Sequence, residues 1–224
     1  MTEREALLRA VCENPDDDTP RLVFADWLDE NGEPERAEFI RLQCGFQSMF
    51  SGYDISTKER PAKFHRMHRL QEQHGTKWRR ELPTFGRPGD VVWQRFFYRG
   101  FVARLDVSDL PVLQLHAKEL LIASPVSHLG IVSANTHDLS PALVTLRTAP
   151  EFVGVRFITL GLSEAGKQLE HELTVFKSER LYTRFSVLFL VPVTAISQAI
   201  KQRITQINSV AEKHGRRVEY GYRR

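Results

Sequence analysis

The chain has 224 residues, of which 42% are hydrophobic and 26% charged, with 13 glycines, 11 prolines and a formal net charge of +3. This composition excludes collagenous, coiled-coil and disordered chains and fits one or two ordinary globular domains of roughly 150 residues each. The small net charge hides a strong asymmetry: residues 1–40 carry net −8, residues 41–104 net +8 and residues 105–224 net +3.

The N-terminal part reads as helices. Thr2 with Glu5 three residues on is a capping-box signature, and Ala6, Leu7, Ala10 and Val11 follow on one face until Asn14 and Pro15. A second helix has Asp18 or Thr19 as its cap, Pro20 in its first turn and Asn31-Gly32 at its end. Leu22, Ala25 and Leu28 form its apolar side, broadened by Val23 and Trp27. Asp26 sits between Ala25 and Trp27, where a partly buried carboxylate needs a donor such as Arg21, Arg41 or a backbone N–H. Pro34 opens a third helix with Ala37, Phe39, Ile40 and Leu42 turned inward onto the second. Gly45, Ser51 and Gly52 then mark a loop around Tyr53. A basic amphipathic helix follows over about 57–73, with Phe64, Met67 and Leu70 on one side.

Pro83, Gly86, Pro88 and Gly89 form the clearest break, which divides the chain into a helical domain, 1–85, and an α/β domain, 86–224. Beyond the break, 91–98 and 101–107 read as extended and are joined by Arg99-Gly100 as a hairpin. Further extended segments at 127–132, 153–162, 185–191 and 217–222 alternate with helical ones at 110–122, 141–148, 164–177 and 194–213. The spacings Leu105 to Leu129, Leu129 to Leu160 and Leu160 to Leu188 are 24, 31 and 28 residues. One strand plus one returning helix has that length. The fold expectation is therefore α/β, an N-terminal helical cap followed by a short, irregular leucine-rich-repeat-like β-α arc with mostly parallel strands; a small doubly wound sheet is the rival.

Residues 14–43 carry a more specific signal. Arg21-Leu22-Val23, Ala25-Asp26-Trp27-Leu28, Gly32 and Glu38-Phe39-Ile40-Arg41-Leu42-Gln43 stand in the order of the bacterial repeat-companion domain, which this stretch closely resembles over roughly residues 3–45. His74-Gly75 with Trp78, and Arg99-Gly100-Phe101, are similar to the text that joins that domain to its repeats. The resemblance implies an N-terminal module placed before leucine-rich or other repeats, with Arg21, Asp26, Trp27, Gly32 and Phe39 as its structural motif. It implies no mechanism, because no activity is established for the family.

Signatures of chemistry are sparse. Cys12 and Cys44 are too few for a disulfide framework and stand at no metal-ligand spacing, which fits a reducing, cytoplasmic setting. His65, His68 and Glu72 share a helical face, and Asp16, Asp17 and Asp18 are adjacent, but a solvated helix and capping carboxylates explain both better than a metal. There is no phosphate loop, dinucleotide fingerprint or nucleophile elbow, so no cofactor is expected. Charges at Glu3, Arg4, Glu5 and Arg9 interrupt any signal peptide, and the longest apolar run, 185–193, is about half a membrane span, so no membrane partner is expected.

Three readings of function remain. The first is a non-enzymatic module that binds another protein through exposed residues of the strand region, with Arg104, Asp106, His128 and Arg156 as candidates. The second is nucleic-acid or polyanion binding through the basic helix and the Arg-rich hairpin, carried by Arg60, Lys63, Arg66, Arg69, Arg79, Arg80, Arg95 and Arg99. In that reading Trp93, Phe96, Phe97, Tyr98 and Phe101 form a stacking platform, whereas a core-facing hairpin explains the same alternation. The third is an unrecognised enzyme.

Overall fold

Thr2 opens the first helix as its sequence requires: its hydroxyl accepts from the Glu5 N–H while the Glu5 carboxylate accepts from the Thr2 N–H, a complete capping box. The structure, a computed structural model, describes residues 1–50, 59–132, 152–162, 167–178, 180–191 and 196–222. Its elements in chain order are α1 (Glu3–Glu13), α2 (Thr19–Glu30), α3 (Pro34–Phe50), α4 (Glu59–Arg80), β1 (Val91–Trp93), β2 (Phe97–Tyr98), β3 (Phe101–Val102), β4 (Arg104–Val107), α5 (Leu110–Ala123), β5 (His128–Ile131), β6 (Phe157–Gly161), α6 (Lys167–Ser178), β7 (Ser186–Val191), α7 (Gln198–Ala211) and β8 (Val218–Tyr222). The fold is α/β, with an N-terminal helical region and a mostly parallel six-stranded sheet. The proposed helix at 141–148 and the Tyr53 loop lie outside the described residues.

Two compact units divide the chain. The first comprises Met1–Pro83, Trp93–Arg104 and Lys118–Val126, and the second Thr84–Val92, Leu105–Ala117 and Ser127–Arg224.

In the first unit, α2 buries Arg21, Phe24, Ala25 and Leu28, spaced i, i+3, i+4, i+7. This corrects the expected stripe: Leu22 and Val23 are 40% and 48% exposed, because the place on the inner face one turn before Ala25 belongs to Arg21. α2 also starts differently. Asp18 makes no side-chain cap; Asp17 accepts from the Thr19 N–H at 2.8 Å instead. The end matches expectation. Gly32 has φ +81°, and the Glu33 and Gly32 N–H groups return to the Leu28 and Asp29 carbonyls, a Schellman motif.

α3 runs through Gly45 to Phe50, past the expected loop, because it is buried on two sides. Ala37, Ile40 and Cys44 pack with Val11, Phe24, Leu28 and Phe101, whereas Phe39 joins Leu70 and Trp78, with Leu42, Met67 and Phe97 alongside. Phe39 and Leu42 therefore face α4 and not α2, as first expected. α4 likewise continues to Arg80, beyond the predicted end at 73.

The Arg99-Gly100 turn forms the expected hairpin, with Phe97 opposite Val102 and Tyr98 opposite Phe101 in an antiparallel pair. Both turn residues have positive φ, +50° and +87°, the signature of a two-residue type I′ turn. Trp93 and Phe101 are 5% and 2% exposed, and the Trp93 indole N–H donates to the Pro83 carbonyl at 2.8 Å. Trp93 and Phe101 thus face the core, whereas Phe96 is 41% exposed.

The six-stranded sheet has the order β1-β4-β5-β6-β7-β8. From β4 onward the order follows the chain with no switch point, which sets aside the doubly wound rival. β5, β6, β7 and β8 pair in parallel with Leu129, Ile158, Val187 and Val218 in register, so successive units are 29, 29 and 31 residues long. That repeat is more regular than the leucine spacing suggested. Leu160 pairs with Phe189, and Leu188 points to the opposite face; a one-residue slip flips the side chain.

Candidate functional site

Right-handed crossovers that advance in one direction leave their helices on one face of a parallel sheet. Leu129, Ile131, Ile158, Leu160, Val187, Phe189, Val191 and Val218 lie on that face and are at most 2% exposed. The Asn208 side chain ties α7 to β8, donating to the Val218 carbonyl at 2.9 Å and accepting from its N–H at 2.7 Å.

The opposite face has a different character. In register across it run His128, Phe157 and Ser186, then Gly130, Thr159, Leu188 and Glu219, then Gly161, Leu190 and Gly221. Phe157 is 44% exposed, and Thr159, Leu188 and Leu190 are partly exposed. The His128 imidazole stacks on the Phe157 ring at 4.4 Å between centroids and 13° between planes, and its Nδ1 lies 2.8 Å from the Ser127 hydroxyl. A parallel sheet normally buries both faces. Here one face keeps an apolar patch open to solvent, flanked by Glu219 and His128.

Of the four strand candidates, two fall on this face within the second unit. His128 stands at its edge, stacked on Phe157. Asp106 is there too, but it is only 8% exposed, which corrects its expected exposure. Its carboxylate fills the space over Gly130, so closely that any Cβ at position 130 would displace it. Arg104 is two residues before Asp106 on β4 and shares its strand face. Arg156 is not part of the patch: one residue before Phe157, it turns back and donates to the Val153 carbonyl at 2.7 Å. Phe157, Thr159, Leu188 and Leu190 are the residues that sequence reasoning passed over. Alternation marks Thr159 between Ile158 and Leu160, whereas Leu188 and Leu190 stand in an apolar run that only the register divides between two faces.

Among the basic candidates of the first unit, Arg66 and Arg99 are engaged by its acidic segment. Arg66 grips Glu38 through two hydrogen bonds, of 2.9 and 2.6 Å, and holds that carboxyl below the usual carboxylate range. Arg99 donates to the Asp16 carbonyl at 2.7 Å and lies 3.5 Å from the Asp18 carboxylate. Lys63 has a partner of its own, Arg69 lies on α4 and Arg60 is in its first turn with its side chain outside the described residues. The opposite charges of segments 1–40 and 41–104 thus meet in part as ion pairs. Arg69, Arg79, Arg80 and Arg95 have no ion pair among the described residues.

The motif residues have structural roles. The buried Arg21 donates to the carbonyls of Asn14, Pro15 and Asp17, so one guanidinium shapes the α1–α2 loop. Asp26 is an exposed carboxylate, 69% accessible, and not a partly buried one; Arg41 bridges it at 2.7 Å and Asp29 at 2.5 Å. Trp27 stacks on Phe24 and donates its indole N–H to Glu3 at 3.0 Å. Arg36, absent from the expectations, lies 4.6 Å over the Trp78 ring, with Phe97 and Phe101 within 6 Å. Burial among these rings pushes its guanidinium down to about 10.

Burial pushes both thiols, Cys12 and Cys44, up to about 12, so neither is a thiolate nucleophile at neutral pH. Among the described residues no group of three or more His, Cys, Asp or Glu side chains is placed to hold a metal ion, and His68 meets the Phe64 ring edge-on, 4.4 Å between centroids. No described helix is long and apolar enough to cross a membrane. Comparison with family models, with curated proteins and with solved structures finds no match to this chain.

Proposed function

We propose that this chain is a non-enzymatic protein-interaction module whose partner protein docks on the open sheet face of the second unit. The observation that supports this reading is an apolar sheet face left partly open to solvent, with Phe157 exposed beside His128 and with Leu188 and Leu190 partly exposed further along it. An exposed aromatic held rigid by a stacked neighbour on a regular sheet has the properties of an interface anchor, since its contact area comes at little conformational cost. Repeat-like sheets present such faces without buried catalytic groups. The similarity of residues 3–45 to the repeat-companion domain is in keeping with a repeat-bearing scaffold, and the protonated thiols with a setting in which they do no chemistry.

The test compares the wild-type chain with Phe157→Glu as bait for proteins of the native host, at about 50 and 200 mM salt. The module reading predicts a partner that is retained at both salt concentrations and lost at least about tenfold with Phe157→Glu. Capture unchanged by that substitution refutes it, and so does capture of nucleic acid that disappears steeply with salt, which belongs to the polyanion reading.

A further inference from the structure

Within the first unit, the last turns of α4 and the start of the hairpin enclose a cleft of about 110 Å³, lined by Gln71, Glu72, Gly75, Thr76, Arg79, Arg95 and Phe97. Three features distinguish it from ordinary surface. Arg79 and Arg95, from different elements, line the same small space, with Arg80 beside them on α4, and the only carboxylate in the lining is Glu72. Arg79 is partly withdrawn from water: one Nη donates to the Trp93 carbonyl at 3.2 Å, while its Nε is buried and has no partner. The arginines are close enough to act on one another, since burial first and then the charges of Arg95 and Arg80 depress Arg79.

A structural explanation covers only part of this. Cations in the last turn of α4 complement the helix dipole, which accounts for Lys77, Arg79 and Arg80. It does not account for Arg95, which the chain brings back from the hairpin to a place where like charges repel. Held-together cations with an unused buried N–H are stabilised by an anion that accepts from several of them at once. The volume is well below the roughly 300–1,000 Å³ of a drug-sized ligand site, so it suits one oxyanion group and not a whole nucleotide. Phe97 gives the cleft a fixed wall, because α4 passes so near that a Cβ at Gly75 would touch its ring at 3.4 Å.

We propose that this cleft binds a single phosphate monoester dianion, held between the Arg79 and Arg95 guanidiniums with the Thr76 hydroxyl and the Gln71 amide as neutral donors. The dianion is favoured over the monoanionic diester of a nucleic-acid backbone because the two lining guanidiniums, with the charge of Arg80 close to Arg79, oppose a single carboxylate. Free phosphate and a phosphorylated molecule share this chemistry.

The test is calorimetric titration of the full chain at constant ionic strength with inorganic phosphate, phenyl phosphate and dimethyl phosphate, using chloride as the balancing ion. The proposal predicts saturable binding of the first two and none of the third. Binding should weaken between pH 7.5 and pH 5, as the second phosphate ionisation, near pH 6 for the ester and higher for inorganic phosphate, is reversed. Comparing phosphate with phenyl phosphate identifies the source, since a phosphorylated ligand requires the ester to bind at least as tightly. Arg95→Gln, an exposed position, should raise Kd about tenfold or more with unchanged circular dichroism, and Glu72→Gln should lower it about two- to fivefold. Phosphate heats equal to those of chloride, dimethyl phosphate binding as tightly as phenyl phosphate, or Kd unchanged in Arg95→Gln overturns it.

Discussion

Gly100 permits a prediction whose size follows from the structure. Its φ of +87° completes the hairpin turn, and an added Cβ would lie 2.5 Å from Ile40 Cγ1, 2.7 Å from Ile40 Cα and 2.8 Å from Ile40 Cβ. The Cα belongs to the backbone of α3 and cannot rotate away, so Gly100→Ala forces the hairpin off the helix and stretches the 2.6 Å bond from the Gly100 N–H to the Gln43 side chain. Left-handed strain of about 1–2 kcal/mol and overpacking of about 1–3 kcal/mol both apply. We expect a loss of about 3 kcal/mol, a fall in Tm of about 6–12 °C for a chain of this size. Gly32→Ala is the control: its φ of +81° carries the same strain, but nothing lies within 4 Å of the new Cβ. It should cost only about 1 kcal/mol. The assay is urea unfolding followed by tryptophan fluorescence, because Trp27, Trp78 and Trp93 all belong to the first unit and report on it alone. Equal destabilisation by the two alanines would refute the close approach of the hairpin to α3.

Further predictions concern charge and protonation. Arg21→Met should destabilise the first unit by about 2–4 kcal/mol in the same assay, since it leaves the Asn14, Pro15 and Asp17 carbonyls without their buried donor. Cys12 and Cys44 should resist alkylation at pH 8 in the native chain by about a thousandfold relative to the urea-unfolded chain, as follows from thiols raised from 9.0 to about 12. The same shift makes the unfolded state the first to lose these protons, so stability is fully present below pH 9 and falls as the pH rises from 9 towards 12; replacing both cysteines with alanine should flatten that alkaline limb. At the acid end, Glu38 is depressed by Arg66, so its contribution is present above pH 4.5 and lost as pH falls below it; Glu38→Gln should remove that part of the acid limb in a pH series of unfolding midpoints, by a small amount because both side chains are 41% exposed.

Local chemistry that acts within a few residues was legible in the sequence. The Thr2–Glu5 box, the Gly32 stop, the Arg99-Gly100 turn and the strands at β5, β7 and β8 all follow from residue types whose backbone preferences decide the outcome. Errors arose where a polar residue took a buried place. Arg21 occupies the inner stripe of α2 because its guanidinium finds three loop carbonyls, and that displaced the expected stripe by one residue onto Leu22 and Val23. Arg36 is similar, its guanidinium lying over aromatic rings that come from α4 and the hairpin. Gly45 reads as a breaker, yet packing of α3 on two sides carries the helix through it. For the candidate site, His128 and Asp106 were legible as strand residues, but Phe157 and Leu188 were not. Only the register reveals that both leave the helix-covered face, since Leu188 stands within an apolar run and Phe157 directly precedes the apolar Ile158.

Site-specific photo-crosslinking in living cells tests the docking face most directly, with a photoreactive phenylalanine analogue placed at Phe157 or, as control, at Val210 on α7, which is 39% exposed. Docking on the open sheet face predicts a discrete crosslinked partner from position 157 and none from position 210. The same species from both positions, or one from position 210 alone, would contradict it.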